Sequence, residues 1–397
     1  MKNRRESVGD HATRTQCLTM HLSSQPPPGF IHLVLLSQAD PFYLEIPTKI
    51  VKTLCLRPLK FLRYLGWCVL GVEGDLVDEG GNKIALDGEL LGQGVYHYTV
   101  SNEIILAHAV DLEVIKHQSQ VPSDTTGTRE DFRTKVSERD GCCVWVGIKG
   151  AGMHIIPYAR GDEACSHYSC PGMRAKFNIL PQWLQLIINN RPHNENLDSL
   201  SINAIRNGIC ADINICHHYF GRRDAVVLKT PNPILETTDV PERYERKILY
   251  TNVSYPSDSR YTFQWIATME HQITLDRYPN NNDATFMNQQ LAKPADLLLH
   301  YNYGAAAVKQ WGKNSKVLAD RPDIPCPSGP APAPKERNTS KGAAADFEAQ
   351  EFWDEDDVML YLWGNTKAAQ DRHAQKEQER TASLENWRDA VTAETGL

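Results

Sequence analysis

Apolar and polar positions fall into short runs along the first third of the chain. IHLVLL, YLEIPTKIV, FLRYLGWCVLGVEG, KIALDG and GVYHYTV are each rich in apolar and β-branched residues, and Gly/Asp/Asn clusters such as EGGNK separate them. This pattern predicts a β-rich module over residues 30–120, after a flexible leader (1–29) that ends in Gln-Pro-Pro-Pro-Gly. A polar loop, SQVPSDTTGT, then gives way to helical spacing. In EDFRTKVSERD, Phe132, Val136 and Arg139 share one face, with Thr126 or Thr128 as candidate caps. Beyond Asp140-Gly141, CCVWVG and GMHIIP read as two strands of a hairpin joined by the glycine-containing turn IKGAG. LPQWLQLIIN predicts an amphipathic helix, NAIRNGICADINICHHYF a loop entering another helix, and AVVLKTP a strand. RYTFQWIA and QITLDRYP are strand-like, and PADLLLHYNYGAAAVKQW is helical with Pro294 near its first turn.

The last segments change in composition. Residues 316–345 are a Pro/Ala-rich linker, and 346–397 predict an acidic helical tail. Charge follows the same division. The formal net charge is −7, yet residues 129–230 carry 13 Lys and Arg against 10 Asp and Glu, while 344–397 carry 5 against 13. A mildly basic centre permits contact with nucleic acid, and the acidic tail suits a protein partner, with Trp353, Trp363 and Trp387 available on a docking face. A solvated tail is the alternative. The longest apolar run, Tyr64 to Val72, is about half of what a bilayer requires, which argues against a membrane span. The polar start MKNRRESVGDHATRTQ lacks the apolar core of a signal peptide, and ten cysteines then read as reduced thiols. The expectation is an intracellular protein of cytoplasm or nucleus, not secreted.

Three strings carry candidate chemistry: RDGCCVWVG, GMHIIPYARGDE and IRNGICADINICHHYF. A histidine leaving a strand, His154, has a pKa near neutrality and can take a proton from water as a general base. Asn207, with donor and acceptor on one amide, can hold the histidine-bearing strand in place. A histidine on the following helix can bind a divalent ion that polarises a scissile phosphate. The alternatives are plainer: His154 as a hydrogen-bonded core residue, and His300 as a packing residue. Cys142, Cys143, Cys165, Cys170, Cys210 and Cys216 form no C-x-x-C knuckle and read better as free thiols than as a zinc site. Arg139, Arg160 and Arg206 flank the strings as candidate phosphate contacts, or as ordinary ion pairs.

The order His-Ile-Ile-Pro, Arg-Asn-Gly and His-x-x-Phe resembles the HNH nuclease family, whose members share a ββα-metal finger around one catalytic metal. RDGCCVW, MHIIPYARGDE, INAIRNGI, LKTPNPILETTDVP, YPNNNDA and LLLHYNYGAAAVKQWG are similar to a group of mushroom-type fungal proteins with this domain, over roughly residues 70–315. The resemblance implies His154 as general base, Asn207 as orienting residue and His217, three before Phe220, as metal ligand. His218, next to it, is a neighbour on another helix face. It also implies one divalent ion, Mg²⁺ or Mn²⁺ with Zn²⁺ as an alternative, and hydrolysis of DNA, or of RNA. Where many members carry an Asp or His before the base, this chain has Met153, a poor ligand for hard ions; Asp212 is a candidate substitute. The stretch ACSHYSCPGMRAKFNIL (164–180) reads as an insertion. The expected fold is α+β: an N-terminal β-rich module, an HNH-like domain over 128–315 with the ββα-metal finger as its core, the linker and the helical tail. Two further functional readings stand beside the nuclease. One is a catalytically silent HNH-like module that binds nucleic acid or protein. The other is an interaction protein working through its N-terminal module or its tail.

Overall fold

The computed structural model describes residues 25–37, 40–90, 93–100, 106–111, 127–157, 183–197, 200–242, 258–269 and 271–319, with the side chains of 127–130, 183 and 216–218 left undescribed. The chain divides into two compact units, Met1–Gly329 and Pro330–Leu397, and every described residue belongs to the first. The predicted linker beyond Ala319, the acidic tail, the 164–180 stretch and Arg160 lie outside the described residues; the first linker residues belong instead to a 3-10 helix, Ser315–Ala319, with Leu318 buried in the core.

The fold is mixed α+β. Strands β1 (Phe30–Leu36), β2 (Phe42–Pro47), β3 (Asp75–Val77), β4 (Gly94–Thr99) and β10 (Gly312–Lys313) form one sheet in the order β10-β2-β1-β4-β3. The β1–β4 pair is parallel and the other pairs are antiparallel. Between β2 and β3 the chain forms helices α1 (Thr48–Leu54) and α2 (Pro58–Leu70). α2 occupies FLRYLGWCVLGVEG, where the apolar run predicts a strand. A fully buried apolar segment shows no distinguishing period, so length and flanks decide. Here Pro58 opens the first turn, and Gly71, at φ +75°, closes the helix in the left-handed conformation that a side chain disfavours. KIALDG contributes only one bridge, Val77 to Lys83.

Helix α3 (Gly127–Asp140) lies where predicted, with Phe132, Val136 and Arg139 buried along one face. The chain continues through β5 (Ala151–His154), α4 (Trp183–Asn190), β6 (Gly208–Ala211) and a π-helical turn, Ile215–Phe220. A second antiparallel sheet joins β7 (Ala225–Thr230), β8 (Arg260–Trp265) and β9 (Asn282–Asp283). Between β8 and β9, QITLDRYP forms helix α5 (Gln272–Arg277) rather than a strand, supported by a Gln272–Asp276 side-chain hydrogen bond one turn apart. Helix α6 (Asp296–Trp311), buried along most of its length, leads into β10, the edge strand beside β2. One apolar core runs from Ile31 to Leu318, so segments 30–120 and 128–315 share it.

Candidate functional site

The His154 segment pairs with a different partner from the one predicted. CCVWVG is not a strand. It forms a tight turn closed by Gly147 N–H to Cys143 O and Cys143 N–H to Ile148 O. Trp145 is buried there, and its indole donates to Tyr261 O. The neighbouring backbone is satisfied by Thr285, Asn282 and Cys210. Strand β5 pairs instead with β6, in the register Ala151–Ala211, Gly152–Cys210, Met153–Ile209 and His154–Gly208.

Strand alternation sends these side chains to two faces. Gly152, His154, Gly208 and Cys210 face α3, while Met153 and Ile209 enter the main core. Gly208 is required by this packing: a Cβ there would lie 2.7 Å from the Phe132 ring and from Val136 Cγ2. The bare backbone lets α3 settle close enough for Phe132 to stack on His154, ring centroids 3.9 Å apart and planes 9° from parallel. The imidazole Nε2 is 3.1 Å from Asn203 Oδ1.

Asn207 is buried, and its side chain makes three hydrogen bonds to backbone groups. Its Oδ1 accepts from Ile156 N–H at 2.9 Å, and its Nδ2 donates to Ile156 O at 3.1 Å and Ile202 O at 2.9 Å. Its own carbonyl accepts from Ile155 N–H at 2.8 Å. One asparagine thus fastens the two residues that follow His154 to the start of β6. His154 and Asn207 are brought together on one ribbon. His217 belongs to the turn that follows β6 after Asp212, Ile213 and Asn214, and its side chain is among those undescribed.

Two of the three flanking arginines, Arg139 and Arg206, are described, and both are engaged. Arg139 is fully buried, and its five N–H donors meet Asp140 Oδ1 (2.5 Å) and Oδ2 (2.9 Å), Ile205 O, Ala292 O and Gly208 O. The expected phosphate contact at Arg139 is therefore corrected: no donor is left for a phosphate, and the residue ties α3 to the start of β6. Its partner Asp140 also accepts from Cys210 N–H at 2.7 Å; burial pushes this carboxyl up against the pull of Arg139. Arg206, half-buried, bonds Asn196 O and the Glu195 carboxylate, whose other oxygen accepts from Leu297 N–H in the first turn of α6.

Among the described residues, which do not include the His217 side chain, no group of three or more His, Cys, Asp or Glu could hold a metal ion. Met153 is buried in the core. Asp212 is buried as well, accepting from Tyr278 Oη at 2.6 Å and from Asn214 N–H at 3.0 Å, with Arg277 Nη2 at 3.7 Å. Burial pushes the Cys143 thiol up to about 11 and raises Cys210 further. Asn203 and the Phe132 stack were not singled out by sequence reasoning. The only signal for Asn203 is its place four residues before Asn207 in INAIRNGI.

No protein-family model, curated protein or solved structure matches the chain.

Proposed function

We propose that this protein is a metal-dependent HNH-type endonuclease hydrolysing phosphodiester bonds in DNA or RNA. The observation that carries the reading is the Asn207 clamp on Ile156, directly beyond His154, on an antiparallel pair followed by the turn bearing His217. His154 takes the proton of the attacking water as general base. Asn207 fixes the backbone from which that imidazole projects, removing the freedom that would blur its aim. A divalent ion held through His217 would supply charge stabilisation at the leaving oxygen.

A second reading, a silent module that binds nucleic acid or protein, is favoured by Met153 and Asp212. The first is a buried thioether beside His154, and the second is a carboxylate already engaged by Tyr278, Asn214 and Arg277. Supercoiled plasmid and single-stranded RNA incubated with the full chain separate the two. The nuclease reading expects nicking in Mg²⁺ or Mn²⁺ that EDTA abolishes. Retention of either nucleic acid without cleavage under any divalent ion supports the silent module and refutes the nuclease. Among the described residues no helix is long and apolar enough to cross a membrane.

A further inference from the structure

Between Glu45 and Glu73 the chain carries Lys49, Lys52, Arg57, Lys60 and Arg63 and no Asp or Glu, a local excess of positive charge in a protein whose formal net charge is −7. The fold sorts these cations into two groups. Arg63 donates to Gly74 O at 2.6 Å, and Lys60 lies 3.3 Å from the Asp239 carboxylate, so both serve the body of the protein. Lys49 and Lys52, one turn apart on α1, are exposed, and so is Arg57, which directly precedes α2. Arg57 reaches Asp87 at 3.9 Å with both side chains more than half exposed, a pair that solvent screens to little. Among the described residues, no acid lies within ion-pair distance of Lys49 or Lys52.

The corner that carries these three cations is fixed. Leu56 N–H donates to Asp239 O at 2.7 Å, and the Cys55 thiol lies 3.1 Å from the same carbonyl and 3.3 Å from Arg57 O. Leu54 O accepts from the Gln264 amide and Thr53 O from the Asn281 amide, which ties the end of α1 to the second sheet. Leu56 is left facing outward, 59% exposed. Helix α2 opens without a side-chain cap or an acid in its first turn, so its positive end adds to the same sign.

We infer that the α1–α2 corner is a docking surface for the phosphate backbone of nucleic acid, with Lys49, Lys52 and Arg57 each meeting a phosphate. This role rests on nucleic acid being the ligand, as in the reading above, and not on cleavage. Lys49 and Lys52 stand about 5 Å apart along α1, near enough for their long stems to reach adjacent phosphates of one strand. Contacts of this kind position a nucleic acid without reading its bases. An anionic membrane fits less well. Leu56 is the one large apolar side chain exposed within residues 48–60, whereas a membrane-bound helix buries a whole apolar face.

The test is fluorescence anisotropy of a short labelled DNA duplex with the full chain in EDTA, repeated over a series of salt concentrations. Combining Lys49→Gln, Lys52→Gln and Arg57→Gln removes three phosphate contacts. It should weaken binding and make the slope of log K against log salt shallower by about 2–3. Combining Lys49→Arg, Lys52→Arg and Arg57→Lys keeps the charge and should keep the slope. All three positions are exposed, so thermal melting of both variants should match the wild type. A wild type that does not bind the duplex, a slope unmoved by the glutamine variant, or a slope lost equally in the charge-preserving variant overturns the docking surface. So does a loss confined to phosphatidylserine vesicles with duplex binding intact. Cleavage in Mg²⁺ or Mn²⁺ with an unmoved slope overturns the docking surface and leaves the nuclease reading standing; a shallower slope in a protein that never cuts does the reverse.

Discussion

Replacing Asn207 with alanine removes the amide that fastens Ile156 to the start of β6. Three hydrogen bonds are lost, one accepted and two donated, all to backbone groups in a buried setting. Each is worth about 0.5–1.5 kcal/mol net, and the stranded Ile156 N–H adds a desolvation cost of about 1–3 kcal/mol. Because the terms overlap, the expected loss is about 3 kcal/mol, a large part of a typical domain's stability. Asn207→Asp does not rescue it: Oδ1 is kept, but the second oxygen is aimed at the carbonyls of Ile156 and Ile202. Urea unfolding followed by circular dichroism measures the loss, and amide hydrogen exchange at Ile155 and Ile156 localises it. A change below about 0.5 kcal/mol, with both amides still protected, would refute the clamp.

Gly208→Ala should cost about 1–3 kcal/mol, since its Cβ meets Phe132 and Val136 at 2.7 Å and the backbone φ of −129° suits alanine, leaving only the clash; thermal melting checks this. Arg139→Met leaves Asp140 buried without its cation and should cost about 3–5 kcal/mol in urea unfolding. His300 is held down to about 3, first by burial and then by Lys229 and Arg191. A histidine lowered on folding stabilises the protein above its unfolded value of 6.5, and that stability drains away as pH falls from 6.5 toward 3. Between pH 6.5 and 5 the drain is about 2 kcal/mol. His300→Gln should remove that part of the acid dependence in denaturant titrations at the two pH values, and an unchanged slope would contradict it.

Much of the fold was legible because it depends on local pattern. The α3 face of Phe132, Val136 and Arg139 follows from helical spacing, strand β7 from its β-branched apolar run, and helix α6 from its length and the proline near its first turn. The misreadings fall where periodicity carries little information. α2 is apolar on nearly every side, and α5 has only six residues with β-branched Ile273 and Thr274 at its start. CCVWVG has the composition of a strand, yet Trp145 draws it into the core as a turn, and β5 finds its partner more than fifty residues away. Long-range pairing of this kind leaves no trace in spacing. Arg139 next to Asp140 reads equally as an exposed pair or a buried one, and only the three carbonyls that converge on it decide. His154 and Asn207 could be singled out because residue type and order set them apart, and the structure places both on one ribbon. Asn203 needed coordinates, since nothing in its neighbours marks which of two asparagines faces the ring.

Single-turnover cleavage of a labelled duplex in Mn²⁺, wild type against His154→Ala at matched fraction bound, bears most directly on the nuclease assignment. The account predicts a rate lower by about 10²–10⁴-fold in the variant with duplex affinity unchanged. Equal rates in the two proteins, or a wild type that binds and never cuts, would contradict it.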